Sequence, residues 1–375
     1  MALQSSGPID ISDIQTELGS SSGSLRALSA SAGKSIPDAM SEFYGYSNFT
    51  AAGNFAPIAY TGNGSTQSIS TGFQPDLVWI KNRVSTYGHC WFDSIRGTNN
   101  VLQCNSTGAE STVANTLTSF NSNGFSLGSN GNVNANNNTY IAWCWKAGNG
   151  TSTNTNGSVT STVSVNQAAG FSIIKFTSPG PSNTPFSVGH GLSSAPDLII
   201  LKDTDTNGTN WPVYSSSFSS PATTELKLNY YQAISSSTAW DSSNPTSSVI
   251  NLRSGSGILA NKECIIYAFT SIPGYSKIGA YTATGSAQTI TTGFQPRFVM
   301  IKCINIGNSA TTFGWNIFDS ARGLGSNTPY LLASEQSTEQ SGTNNWLSVT
   351  SNGFTLNSYW LNGGGWGDHF YMAFA

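Results

Sequence analysis

Two regimes of apolar spacing divide the chain near residue 47. Before that point apolar residues recur at helical intervals: Ile11, Ile14 and Leu18, then Leu25 and Leu28, then Ile36, Met40, Phe43 and Tyr44. Ser12 and Gln15 make a capping-box pattern with Ile11 as staple, and Gly19 stands where a C-terminal cap belongs. Ser24 to Ala32 and Ser35 to Tyr44 read as a second and a third short helix. Helices this short bury too little apolar area to fold alone, so the segment is expected to order against a partner.

From Phe55 onward the period changes. Short β-like runs alternate with Gly, Asn and Pro clusters, and Leu77 to Lys81 is almost continuously apolar, as for a strand covered on both faces. The same passage then returns. Gly72-Phe73-Gln74-Pro75 through Lys81, followed by Phe92-Asp93-Ser94-Ile95-Arg96-Gly97, is repeated as Gly293-Phe294-Gln295-Pro296 through Lys302 and Phe318-Asp319-Ser320-Ala321-Arg322-Gly323. A degenerate copy between them keeps Pro196 to Lys202 and Trp211 to Tyr214. Closing strands recur at Tyr140–Trp143, Ile266–Phe269 and Tyr371–Phe374. The pattern predicts an all-β body of three antiparallel β-sandwich or jelly-roll-like units sharing one topology, with a barrel of the same strands as the alternative. The boundaries are 1–47 for the helical segment, 48–148, 170–273 and 274–375 for the units, and 149–169 for a linker whose alternating Val159 to Val165 can pair as an edge strand.

Composition narrows the function classes. Only 9% of the 375 residues are charged, while aromatics reach 11%, which excludes a disordered polar chain. A net charge of −3 without a basic patch argues against nucleic acid. No apolar leader core follows Met1 and no stretch is long enough to span a membrane, so a soluble protein without membrane insertion is expected. The 5 cysteines (Cys90, Cys104, Cys144, Cys264 and Cys303) do not recur at equivalent places, which reads as free buried thiols. His89, His190 and His369 have no partner at ligand spacing, so no metal or other cofactor is expected. With no recurring acid pair, nucleophile elbow or phosphate loop, the chain does not read as an enzyme.

Two recurring features look structural. Asp93 with Arg96, and Asp319 with Arg322, should lock a turn beneath the sheet, a pair the middle unit lacks. Lys81, Lys202 and Lys302 share one strand-end place and read as snorkelling cations. By contrast Trp346, Tyr359, Trp360, Trp366 and Asp368, around Gly363-Gly364-Gly365, have no evident match in the other units. An unmatched aromatic loop on the last unit is the candidate binding surface, with Trp and Tyr faces suited to stack on the sugar rings of a glycan.

As a set, the motifs resemble a family: tail-fibre-like virion structural proteins of marine tailed bacteriophages. The resemblance rests on the leader Ile11 to Gly19 and Met40 to Gly45, on Gly-Phe-Gln-Pro, Phe-Asp-Ser-x-Arg-Gly and Asn-Gly-Phe, and on the closing Tyr371-Met372-Ala373-Phe374-Ala375. It implies a virion protein assembled in the host cytoplasm. Residues 1–47 would attach to other virion proteins, through Ile11, Ile14, Leu18, Leu25, Leu28, Ile36, Met40, Phe43 and Tyr44. The β-units would contact the host or serve only as architecture. A homo-oligomer, a homotrimer foremost, is the expected assembly.

Overall fold

Strand order follows the repeat. The computed structural model describes residues 3–4, 7–32, 34, 38–43, 53–237, 239–305, 314–324, 329–340, 346–357 and 359–375, with the backbone alone described at Tyr359 and Trp360. Unit 1 contains β1 (Phe55–Thr61), β2 (Gln67–Ser70), β3 (Leu77–Asn82), β4 (Cys90–Asp93), β5 (Asn100–Gln103), β6 (Ser111–Thr112), β7 (Leu117–Asn121), β8 (Gly124–Leu127) and β9 (Thr139–Trp145). Its larger sheet runs β1-β9-β3-β4-β5-β6 and its smaller one β2-β8-β7.

Unit 2 contains β10 (Ser152–Asn154), β11 (Ser161–Asn166), β12 (Phe171–Thr177), β13 (Pro185–Gly189), β14 (Leu198–Asp203), β15 (Pro212–Ser215), β16 (Thr224–Lys227), β17 (Ser235–Ser236), β18 (Val249–Arg253) and β19 (Glu263–Phe269). Unit 3 contains β20 (Ser276–Thr282), β21 (Gln288–Thr291), β22 (Phe298–Cys303), β23 (Asn316–Asp319), β24 (Leu331–Leu332), β25 (Leu347–Thr350), β26 (Gly353–Leu356) and β27 (Asp368–Phe374). Their larger sheets keep the unit 1 order, as β12-β19-β14-β15-β16-β17 and β20-β27-β22-β23-β24. The smaller sheets are β13-β18 and β21-β26-β25. All pairings between these strands are antiparallel and no barrel closes. The stretch read as a linker is largely structured: β10 and β11 extend the unit 2 sheet outward from β12.

The central strands show why the apolar runs are continuous. Alternate side chains of a strand point to opposite faces. Val78 and Ile80, Ile199 and Leu201, and Val299 and Ile301 fill a core inside their own sandwich. Leu77 and Trp79, Leu198 and Ile200, and Phe298 and Met300 fill a further core shared by all three units. The larger sheets therefore face one another around a pseudo-threefold axis. Trp145, Phe269 and Phe374, each closing its sheet's second strand, meet on that axis with ring centroids 5.7–6.2 Å apart.

Three seams close this ring, and their hydrogen bonds are cyclic. The backbone N–H of Glu110 donates to Thr204 O, Ile234 to Ile304 O and Glu339 to Arg83 O, each at 2.8 Å. Lys81, Lys202 and Lys302 lie on the inward face with Leu77 and its equivalents, so they are fully buried rather than snorkelling. Each Nζ donates across a seam: Lys81 to Gln336 O (3.3 Å), Lys202 to Thr107 O (3.5 Å) and Lys302 to Tyr231 O (3.0 Å). Loss of hydration lowers all three to about 8.

The Asp–Arg turns also belong to the seams. Asp93 Oδ1 accepts from the backbone of Ile95 and Arg96 while Oδ2 takes Arg96 Nε, so the pair does lock its turn. Oδ2 also accepts the Tyr267 hydroxyl of unit 2 at 2.7 Å. Asp319 and Arg322 repeat the arrangement, with Trp143 Nε1 of unit 1 donating to Asp319 Oδ2 at 3.0 Å. At the third seam every member has changed together. Ser215 replaces Asp, Phe218 replaces Arg, and the closing-strand donor becomes Met372. Phe218 packs on Phe370 of unit 3, 6.1 Å between centroids.

The N-terminal residues form a small helical module with its own core. The helices are α1 (Ile11–Leu18), α2 (Leu25–Ser31) and a 3-10 turn, Met40–Phe43. Ile14, Leu28 and Phe43 are fully buried, with Ile11, Leu18, Leu25 and Met40 packed around them. Ile36 and Tyr44 lie outside the described residues. The cap of α1 is Asp10 rather than Ser12: Asp10 accepts from Asp13 N, and Asp13 returns the bond to Asp10 N, each at 2.9 Å. A carboxylate at the positive end of a helix outcompetes the hydroxyl two residues later. Gly19 ends α1 at φ 61°, as expected for a left-handed cap.

Candidate functional site

Strand direction gives the β-body two different ends. β1 begins with Phe55 opposite Trp145, so the chain enters the body beside the axial Trp145–Phe269–Phe374 triad. Lys81, Lys202 and Lys302 lie toward the other ends of β3, β14 and β22. The three exposed large hydrophobics among the described residues, Val84, Tyr87 and Tyr230, all lie in loops at that far end.

At the seam between units 2 and 3 this end becomes a defined surface. The turn after β16 is pinned from below by unit 3, where Trp315 Nε1 donates to Lys227 O (2.9 Å) and Tyr230 O (3.2 Å), and Lys302 Nζ to Tyr231 O. The Tyr230 and Tyr231 rings lie 5.1 Å apart, and Tyr230 is 39% exposed. Unit 3 supplies the other bank. The half-buried Trp366 ring lies against Gly363, where an added Cβ would meet Cε2 at 2.6 Å, so only glycine fits beneath it. Cys303 Sγ reaches Trp366 O at 3.6 Å. Asp368 O accepts Ile304 N at 2.9 Å, and Ile304 O in turn accepts Ile234 N of unit 2. The exposed Asp368 carboxylate accepts from Thr282 Oγ1 at 2.5 Å.

Of the residues singled out from sequence, Trp366 and Asp368 lie on the unit 3 side of this far end, their backbone carbonyls bonded to Cys303 and Ile304, while Tyr230 and Tyr231 lie on the unit 2 side of the seam. The tyrosines carried a signal, since they break the polar pattern after Leu228, but that signal had no place until the seam was known. Trp346 goes elsewhere. It is 7% exposed and packs in the unit 3 core, 4.5 Å from Tyr330.

Tyr359 and Trp360 lie on a one-turn helix, Tyr359–Asn362, which has a counterpart in unit 1 at Gly131–Asn134 (α4 and α3, respectively). The shared element is an asparagine. Asn134 Oδ1 accepts Asn63 N, and Asn362 Oδ1 accepts Thr284 N, fastening each helix to the preceding hairpin turn. The loop is therefore not unique to unit 3. His369, beside Asp368, is buried and lowered to about 4, chiefly by desolvation, and stacks on Tyr281 at 5.0 Å. It is a neutral core histidine. Among the described residues no group of three His, Cys, Asp or Glu could hold a metal ion.

No functionally curated protein matches the sequence. Residues 50–375, from just before β1 through the last strand, match one family along their whole length. The three fused sandwiches therefore correspond to a single family unit, and the chain belongs to the family described as a domain of unknown function, DUF7483.

Proposed function

We propose that this chain is a structural protein of a phage virion, a tail fibre or tail-associated appendage. Residues 1–47 attach it to other virion proteins, and the far end of the β-body contacts the host surface. The observation that carries this reading is polarity: the chain enters the body at one end, and the exposed aromatics lie at the other. Attachment through the helical module is supported by its thin core, with three fully buried side chains and a rim of partly buried Leu3, Ile9, Ile11, Leu18, Leu25 and Met40. The β-body already contains its threefold seams within one chain, so homotrimer contacts are assigned to residues 1–47.

The test uses phage carrying edited genes. Deleting residues 1–47 should leave a soluble β-body that no longer joins particles. Replacing Tyr230 and Trp366 with Ala should leave incorporation intact and slow adsorption to the host at least tenfold. Normal incorporation of the truncated chain overturns the attachment role. Unchanged adsorption of the double variant removes the host contact and leaves a purely architectural protein.

A further inference from the structure

Where unit 1 hands over to unit 2, the molecule forms an open cleft of about 760 Å³, within the range of about 300–1,000 Å³ typical of small-ligand sites. One wall is the loop after β9, Lys146 to Asn149. The other is the β10–β11 hairpin, with Asn154, Val163 and Val165. Among the described residues neither of the other units has this hairpin, so the cleft is not a by-product of the repeat.

Its walls are held rigidly, which lowers the ordering cost of binding. The buried Asp76 carboxylate accepts from the backbone of Ala147 at 2.7 Å and Asn149 at 3.2 Å. Gly148 N donates across the cleft to Ser164 Oγ at 3.0 Å. Asn166 Nδ2 ties Asn54 Oδ1 (2.9 Å) to Lys146 O (3.3 Å). Those groups are occupied by the frame, while the lining also holds the Lys146 ammonium, whose charge acts on the buried Asp76, and the Asn154 side-chain amide. Lys146 makes no ion pair within 4.0 Å among the described residues, and the hydrogen bond of the Asn154 side chain goes through Oδ1, from Asn156 N. The lining thus offers a cation and an amide donor together with the acceptor Gln167 Oε1, whose Nε2 is held by Gly191 O at 2.8 Å, and the Ser152 hydroxyl, beside the apolar side chains of Val165 and Ala168.

A fitting ligand presents oxygen acceptors, one of them anionic, beside an apolar C–H face. Sugar hydroxyls, which both donate and accept, suit this mixed set, and an acidic peptide is the competing outcome that tetraglutamate tests below. We propose that this cleft binds a short acidic oligosaccharide, with Lys146 pairing with a sugar carboxylate and Asn154 donating to a neighbouring ring or hydroxyl oxygen. The site adjoins Asn54, at the end where the chain enters the body, so it is independent of the host-contact surface at the far end.

Calorimetric titration of the full-length chain with tetramers of galacturonate and of mannuronate tests this, with tetragalactose and tetraglutamate as controls. Saturable binding of at least one uronate is expected. It should weaken at least tenfold in Lys146→Gln and severalfold in Asn154→Ala, with circular dichroism showing both variants folded. Tetragalactose should bind at least tenfold more weakly than the uronate. Absence of binding by both uronates, equal affinity in Lys146→Gln, or tetraglutamate binding as tightly as the uronate would overturn the proposal.

Discussion

Tyr267→Phe isolates one atom of one seam. The Tyr267 hydroxyl donates to Asp93 Oδ2 at 2.7 Å, the same oxygen that takes Arg96 Nε, and all three side chains are buried. The phenylalanine ring keeps the edge contact with Trp91, 4.9 Å between centroids, so packing is preserved and only the hydroxyl's hydrogen bonds are lost, the one to Asp93 and a longer one of 3.4 Å from Arg96 Nη2. A hydrogen bond to a charged group contributes about 1.5–3 kcal/mol. Asp93 retains three other donors, which places the expected cost in the lower half of that range, about 1.5–2 kcal/mol. The structure supplies its own control in Met372, which occupies the same closing-strand place at the seam where Ser215 and Phe218 replace the ion pair. Met372→Leu conserves volume and should cost less than about 1.5 kcal/mol, whereas Met372→Tyr buries a hydroxyl with no carboxylate to receive it. Urea unfolding of the full-length chain measures all three as midpoint shifts at constant slope. A Tyr267→Phe cost below about 0.5 kcal/mol, or a Met372→Tyr variant as stable as the parent, would refute the claim that the seams carry matched donor–acceptor sets.

The shared core predicts that residues 53–375 unfold in one calorimetric transition, because no sandwich can separate without exposing inward aromatics such as Trp79, Trp211 and Trp315. Separate transitions, with Tyr267→Phe moving only one of them, would contradict it. The lysines predict a pH dependence. Lys202 is held at about 8 in the folded chain against about 10.4 unfolded, so between those values the unfolded chain binds the extra proton and its contribution to stability rises with pH. From pH 7 to pH 9 the parent should gain about 1 kcal/mol over Lys202→Met. The buried thiols, which titrate in the opposite sense, are common to both chains and cancel, apart from the lowering that Lys202 itself exerts on Cys264. Parallel stability curves for the two proteins would show that the buried ammonium is not destabilised.

Much of this architecture is legible in the sequence. The threefold recurrence of Pro, apolar strand, Lys and closing strand gives the sandwiches and the topology they share, and the Asp–Arg spacing gives the locked turn. What covers the second face of each central strand is not encoded locally. A continuous run such as Leu77 to Ile80 says that both faces are buried but not by what, so Lys81 read as a strand-end cation although 77, 79 and 81 share the face that turns toward the axis. Trp346 misled for a related reason: without a repeat match it looked additional, yet it fills the unit 3 core against Tyr330. In the stretch read as a linker with an edge strand, the alternation up to Val165 signalled the pairing of β11, whereas β10, made of Ser, Thr and Asn, gave no such signal.

Placing three units in one chain changes what the seams can do. In a homotrimer of separate chains, any substitution at a seam is made three times, so a change that buries an unpaired carboxylate is penalised threefold. In the fused chain one seam can drift alone, provided its members change together, as Met372, Ser215 and Phe218 have relative to Trp143, Asp319 and Arg322. That apolar seam joins units 2 and 3, and it is also the seam that carries Tyr230 and Tyr231 at its outer end. On the function proposed above, a surface presented once per chain, on a body otherwise close to threefold, would give the molecule a single recognising side. Binding through one weak aromatic site would then gain strength only when several chains are presented together. An N-terminal module with a rim of partly buried apolar side chains is suited to gather them.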